Sequence, residues 1–288
     1  MIQIHLSSRA KSLPRLKTLI AGFFVVTVTT VGIALFGNND PSWWTKAPVA
    51  AAGIDASRSL ITLENNLDSK SSLLIVRANL AKEVTEVRLL PAYFDTMAVN
   101  GSRAILAKRG MGRSQCLNLV SGKLSQELVF PREFKIIGTS AMNNDSFLIW
   151  GADSGRRTLI FQTNCTAIYA VATSQERLKL ICPERNRLIA IDFQGAIFRT
   201  KNGFELEKTR QKYPKLDSLA CGRAGIAGHV SSGDTDFILS INSESSKSNR
   251  LSRGHGLFAL LFDNHGFEWF GLKHGKSPTT VGMFPIRE

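Results

Sequence analysis

Residues 147–161 read FLIWGADSGRRTLIF, and this stretch decides the class of fold. Two short apolar runs, Phe147 to Trp150 and Thr158 to Phe161, flank a polar turn that contains Asp153 and Gly155. Such runs around a glycine-containing turn predict a β-hairpin, because tight hairpin turns need residues that adopt positive φ. We therefore expect two antiparallel strands here.

The same plan recurs along the chain, with further glycine turns at Gly122, Gly195 and Gly266. Together with Gly155, these glycines are 33, 40 and 71 residues apart, which fits a period of about 35–42 residues with one turn missing. Four-stranded propeller blades repeat about every 40–45 residues. Residues 71–288 therefore predict an all-β propeller of roughly five blades. A β-sandwich would give the same hairpin signals and is the alternative.

One turn resembles a known motif. Residues 264–269, NHGFEW, resemble the Asp-box hairpin of sialidase-like propellers, S-x-D-x-G-x-x-W. Gly266 and Trp269 match this pattern, whereas Asn264 stands in place of the aspartate and Phe262 in place of the serine. The resemblance implies a propeller with an aromatic side chain packed between blades. It implies nothing about sialidase chemistry.

The N-terminal region predicts a membrane anchor. Residues 18–39, TLIAGFFVVTVTTVGIALFGNN, carry no charge and are long enough to cross a bilayer core of about 30 Å as a helix. Four basic residues and no acid precede this segment, which predicts that residues 1–17 remain in the cytoplasm. We expect a retained signal anchor followed by an extended stem at residues 40–70. A cleaved signal peptide and a buried core helix are the alternatives.

This topology places the bulk of the chain outside the cytoplasm, and we expect a bacterial inner-membrane protein that faces the periplasm. Residues 40–288 contain 32 basic and 23 acidic side chains, a formal charge of +9. This charge favours acidic partners, such as phospholipid headgroups, polyanionic glycans or an acidic protein. A solvated basic surface is the alternative, because the charges are scattered along the chain. Nucleic acid is not an expected partner.

The chain contains four cysteines, and an even number in an exported domain permits two disulfides with three possible pairings. Separate buried thiols are the alternative. The candidate disulfide residues are Cys116, Cys165, Cys182 and Cys221.

The sequence contains no recognisable catalytic constellation, and we expect no catalytic residue, cofactor or metal ligand. Glycoside hydrolysis needs two placed carboxylates, and nothing singles out a pair among the candidates. These candidates are Glu127, Asp192, Glu205 and Glu268. Three arginines at predicted strand ends, Arg103, Arg157 and Arg187, would indicate an enzyme if they converged on one cleft and a scaffold if they were dispersed.

Residues 243–253, SESSKSNRLSR, predict an exposed loop between strands. Lys247, Arg250 and Arg253 would contact an acidic partner there, and a flexible loop tip is the alternative. The combined features predict a membrane-anchored scaffold or assembly factor of an envelope complex that binds other proteins. A membrane-bound, glycan-active hydrolase on the same fold is the alternative function.

Overall fold

The computed structural model describes residues 48–65, 70–77, 84–142, 145–184, 186–200, 204–213, 216–222, 225–232, 235–241, 246–251, 257–262, 269–274 and 281–286. The predicted cytoplasmic tail at residues 1–17, the predicted anchor at residues 18–39 and the first part of the predicted stem lie outside these ranges. Within these ranges, no helix has the length and apolar character needed to cross a membrane.

The described strands form six antiparallel sheets, numbered here along the chain. Sheet 1 contains β1 (Val49–Ile54), β2 (Leu60–Asn65), β3 (Ser72–Arg77) and β4 (Glu86–Leu89). Sheet 2 contains β5 (Thr96–Asn100), β6 (Arg103–Ala107), β7 (Arg113–Asn118) and β8 (Leu128–Val129). Sheet 3 contains β9 (Lys135–Ala141), β10 (Phe147–Ala152), β11 (Thr158–Thr163) and β12 (Ile168–Ser174).

Sheet 4 contains β13 (Leu178–Glu184), β14 (Arg187–Asp192), β15 (Ala196–Thr200) and β16 (Leu206–Lys212). Sheet 5 contains β17 (Asp217–Gly222), β18 (Gly225–Ser232), β19 (Thr235–Ile241) and β20 (Ser246–Leu251). Sheet 6 has three described strands, β21 (Leu257–Phe262), β22 (Trp269–His274) and β23 (Val281–Ile286).

The six sheets are the blades of a propeller. In every sheet the strands pair in chain order, so the first strand lies at one edge. The first strands contact one another in succession, from β1 to β5, β9, β13, β17 and β21, and β21 contacts β1 again. This closed ring of inner strands confirms the predicted all-β propeller, and the β-sandwich alternative is wrong.

Sheet 1 corrects the predicted boundary between stem and domain at residue 70, because the first strand begins at Val49. The sequence of β1, VAAAGI, gives a weak strand signal because alanine and glycine are depleted in strands. The inner position needs small residues: a Cβ added to Gly53 would lie only 2.6 Å from Cγ2 of Val99. The prediction of roughly five blades assumed that the propeller begins at residue 71. The described ring contains five four-stranded blades and a three-stranded sixth.

The apolar core lies between neighbouring blades. Both faces of a blade are covered, so β2 is buried along all six residues. Phe130, Phe134 and Phe161 form an aromatic cluster between sheets 2 and 3, with ring centroids 5.0–5.3 Å apart. Trp150 belongs to the next cluster, between sheets 3 and 4, and a Cβ added to Gly138 would lie 2.4 Å from its ring. Packing between blades therefore fixes the positions of the turns.

Candidate functional site

The turns fall at two opposite ends of the ring, because strand direction alternates within each blade. The connector face holds the turn between the second and third strands of each blade and the connection to the next blade. Its described parts are residues 70–71, 90–95, 108–112, 130–134, 153–157, 175–177, 193–195, 213 and 216. The hairpin face holds the other turns of each blade. Its described parts are residues 55–59, 84–85, 101–102, 119–123, 142, 145–146, 164–167, 186 and 204–205.

The connector face is basic. Its described parts contain seven exposed cationic side chains, two exposed acids, Glu133 and Glu176, and two half-buried acids, Asp95 and Asp153. The cationic residues are Lys70, Lys108, Arg109, Arg132, Arg156, Arg157 and Arg177. They belong to turns and connections of sheets 1 to 4, so a positive surface extends across much of this face.

The turn between β10 and β11 shows how the connector face positions these charges. Oδ1 of Asp153 accepts a hydrogen bond from the Arg157 backbone N at 2.9 Å, and Oδ2 accepts one from Nε of Arg157 at 3.0 Å. Desolvation raises the pKa of Asp153, but the hydrogen bonds and the charge of Arg157 outweigh it, so the pKa lies below its ordinary value. Arg156 adopts a φ of 62° in the same turn. The carboxylate thus closes a turn that displays two adjacent arginines.

Aromatic rings accompany two cations of the connector face. Nζ of Lys108 lies 5.3 Å from the ring centroid of Tyr93, and Cζ of Arg177 lies 5.3 Å from that of Phe193. Phe193 is 54% exposed, and Met111 is 41% exposed. This end of the ring therefore combines positive charge with exposed apolar groups, and it can bind a ligand surface that is both anionic and apolar.

The hairpin face has a different character. Its described turns contain two exposed cations, Arg58 and Lys123. They also contain two exposed acids, Asp145 and Glu205. Residues 124–127 run back along β7, so Glu127 lies near Arg113 at the connector end of that strand. Two of the most exposed large apolar residues lie on the hairpin face, Val120 at 83% and Phe204 at 70%. The backbone O of Phe204 accepts a hydrogen bond from the N of Thr173 in sheet 3 at 2.8 Å, so its position is fixed by the neighbouring blade.

The four candidate cysteines form two disulfides, and no cysteine is free. Cys116 of β7 pairs with Cys165 in the turn after β11, which joins sheets 2 and 3. Cys182 of β13 pairs with Cys221 of β17, which joins sheets 4 and 5. Four cysteines allow three pairings. Only this pairing lets both disulfides join neighbouring blades.

The structure does not bring the candidate carboxylates together. Glu127 lies in sheet 2, with its Oε2 3.4 Å from Nη1 of Arg113. Asp192 lies at the connector end of sheet 4, where its Oδ1 accepts hydrogen bonds at 2.8 Å from the backbone N atoms of Gln194 and Ala196. Glu205 lies on the hairpin face, and Glu268 lies outside the described residues. In the described part of the chain, no cluster of histidine, cysteine and acidic residues could hold a metal ion.

The three arginines at strand ends are dispersed. Arg103 and Arg187 are exposed first residues of β6 and β14, at the hairpin end of sheets 2 and 4. Arg157 lies on the connector face of sheet 3. The three side chains therefore do not converge on one cleft.

The predicted contact loop at residues 243–253 is partly corrected. Residues Ser246–Leu251 form β20, the outer strand of sheet 5, so Lys247 and Arg250 lie in a strand. Backbone pairing with β19 stabilises this strand, and an outer strand needs no apolar pattern. Arg253 lies outside the described residues, as do Asn264 and Gly266 of the Asp-box-like turn. Trp269 begins β22 and pairs with Phe262.

The connector face was not predicted from the sequence because its cations are not adjacent in the chain. They recur at residues 108–109, 132, 156–157 and 177, in successive turns and connections. A recurrence of basic residues about every 20–25 positions, close to half of a blade repeat, was the available signal.

No protein-family model matches the chain, and no curated protein matches its sequence. Solved propeller structures do match. The β-propeller domain of Cps50 (Swd1) from Myceliophteria thermophila has a TM-score of 0.56 and 8% identity, over 86% of this chain and 99% of that one. A structure of U3-55K has a TM-score of 0.52 and 9% identity, over 84% and 96%. Hydrazine synthase of Kuenenia stuttgartiensis has a TM-score of 0.53 and 11% identity, over 82% and 76%. At these identities the likeness concerns the fold alone.

Proposed function

We propose that this chain is a single-pass membrane protein whose extracytoplasmic propeller binds other proteins, as a scaffold or assembly factor of an envelope complex. The propeller fold is consistent with such a role, because it presents many turns on a rigid ring. The uncharged segment at residues 18–39 supports the anchor, and the two disulfides support an oxidising compartment.

The observation that carries this proposal is the exposure of Phe204 and Val120 on the hairpin face. Aromatic and arginine side chains provide much of the binding energy in protein interfaces. Phe204 is held by a backbone hydrogen bond to the next blade, so little conformational freedom would be lost on binding. Exposed Arg103 and Arg187 at the same end suit a partner with acidic side chains around an apolar contact.

The anchor is tested by fractionation. Membranes from cells that express the tagged full chain are washed with alkaline carbonate, which removes peripheral proteins. We expect the chain in the membrane pellet, with its propeller accessible to protease only from the extracytoplasmic side. Recovery of the chain in the aqueous fraction would contradict the anchor.

Protein binding is tested by quantitative affinity purification of the full chain from detergent-solubilised membranes of its native cells. We expect a set of co-purified proteins that is reduced at least about tenfold by Phe204→Asp with Val120→Asp, since two exposed apolar contacts are replaced by charges. Val129→Asp is the matched control, because Val129 is 68% exposed on β8, away from the hairpin-face turns. Purification of the bait alone, or equal losses in both variants, would count against the proposal.

A further inference from the structure

We propose that the connector face lies against the anionic phospholipid surface of the same membrane that anchors the chain. This inference rests on the proposed anchor. It assigns the basic face to lipid and leaves the hairpin face, at the opposite end of the ring, for protein partners.

The first observation is the point at which the chain enters the ring. The backbone O of Pro48 accepts a hydrogen bond at 3.0 Å from the N of Asn65, the last residue of β2. The end of β2 and the start of β1 both lie at the connector face. Because β1 is an inner strand, Pro48 lies near the middle of this face and not at its rim. A tether attached near the middle allows the whole face to lie flat on a membrane.

The second observation is the length of that tether. Only eight residues, 40–47, separate the predicted span from Pro48. Fully extended, they reach at most about 29 Å. If residues 18–39 span the membrane, a tether of this length would give Pro48 and the connector face a high effective concentration at the lipid surface.

The third observation is the charge of the connector face. Seven exposed cations, two exposed acids and the half-buried Asp95 and Asp153 lie in its described turns and connections, against two exposed cations and two exposed acids on the hairpin face. Anionic headgroups attract Lys and Arg side chains only near the surface, because the Debye length is about 8 Å at physiological ionic strength. The tether supplies the proximity that this short-range attraction requires.

The exposed apolar groups among these cations fit the same ligand. Phe193 is 54% exposed beside Arg177, and Met111 is 41% exposed two residues after Arg109. Apolar side chains flanked by basic ones suit the boundary between headgroups and acyl chains. A soluble polyanion would use the charges and leave these apolar groups in water.

The experiment uses the full chain in lipid nanodiscs, one type made of phosphatidylcholine and the other of phosphatidylcholine with phosphatidylglycerol. Amide hydrogen exchange is measured in both. We expect peptides that cover residues 108–112 and 153–157 to exchange about fivefold more slowly in the anionic discs. Peptides that cover residues 119–123 and 164–167 on the hairpin face should exchange equally in both. High salt should remove the difference.

Charge reversal provides the matched comparison. Arg109→Glu with Arg132→Glu should remove most of the protection in anionic discs, because both residues are exposed on the connector face. Lys123→Glu with Arg187→Glu makes the same change in charge at the hairpin end and should leave the protection intact. Equal loss in both variants would indicate a nonspecific charge effect and would overturn the proposal.

Two failures are distinguishable. If the chain does not enter nanodiscs of either composition, the proposed anchor fails, and with it the orientation. If the chain enters both types and the connector face exchanges equally in them, the anchor stands and the lipid-binding face is refuted. In that case the connector face would be a binding surface for an acidic protein.

Discussion

The two ends of the ring differ sharply although the same strands build them. The connector face has an excess of exposed cations, whereas the hairpin face has a nearly balanced charge and exposed Val120 and Phe204. Antiparallel pairing sends successive turns to alternate ends, so residues that are scattered along the sequence gather on one surface. A scattered charge pattern therefore does not exclude a concentrated basic face.

The ends also differ in how their turns are held. On the hairpin face of sheets 2 and 3, Cys165 is bonded to Cys116 and Asn100 bonds across to the next blade. On the connector face, Asp153 and Asp192 close the turns of their own blades. Three substitutions test this contrast.

The largest effect is expected from Cys116→Ser with Cys165→Ser. The disulfide closes a loop with a sequence separation of 49 residues, and the chain-entropy model gives about 4 kcal/mol for its loss. Thermal unfolding should shift down by roughly 10 °C for a domain of this size. Hydrogen exchange at residues 164–167 should rise more than at residues 153–157.

Cys182→Ser with Cys221→Ser is the control for that variant. It removes a disulfide of similar separation, 39 residues, between sheets 4 and 5. A comparable loss of stability without faster exchange at residues 164–167 would show that each bond acts at its own junction. An unchanged melting temperature in the first variant would refute the stabilising role of the pair.

An intermediate effect is expected from Asn100→Ala. Nδ2 of Asn100 donates to the backbone O atoms of Met142 and Ser146, the latter at 2.9 Å, and so links sheet 2 to sheet 3. Leaving two carbonyls without this donor should cost about 1–3 kcal/mol, measured by urea unfolding. Asn118→Ala is the control, because Oδ1 of Asn118 accepts only from its own turn at Val120 and Ser121. If both variants lost the same free energy of unfolding, the hydrogen bonds of Asn100 across the blades would add no stability beyond that of a local turn.

The smallest effect is expected from Asp153→Asn on the connector face. The pKa of Asp153 is lowered in the folded protein, so its carboxylate stabilises the fold above the unfolded pKa of about 3.9. This contribution is lost as the pH falls through the folded pKa. Urea unfolding should show a slightly less stable variant at pH 7, and the difference should shrink below pH 4. Asp145→Asn, on the hairpin face, is the control. If Asp153→Asn remained less stable than the native protein below pH 4, the carboxylate charge would not be the source of the stabilisation.

The sequence was sufficient to predict the fold class, because alternating apolar runs around polar turns are a local signal. Residues 147–161 form the predicted hairpin, with Phe147 opposite Thr163 and Ala152 opposite Thr158. The strand β1 was missed because its alanines and Gly53 are selected by crowding at the inner edge of the ring and not by strand propensity. Crowding of this kind appears only once the blades are assembled.

The surfaces were less predictable than the fold. The cations of the connector face come from four blades, and only the strand order reveals that their turns share one end. The polar residues 246–251 were assigned to a loop because an outer strand carries no apolar pattern. Disulfide pairing likewise depended on which blades are neighbours, which spacing between cysteines does not reveal.

The disulfide between Cys116 and Cys165 would hold the chain together after a proteolytic cut. Arg132, Arg156 and Arg157 all lie in exposed segments between these two cysteines, where a trypsin-like enzyme would cut. A single cut there leaves both fragments joined through sulfur and still packed between neighbouring blades. Where this disulfide stays oxidised, the protein can thus expose its arginines and stay in one piece after being nicked.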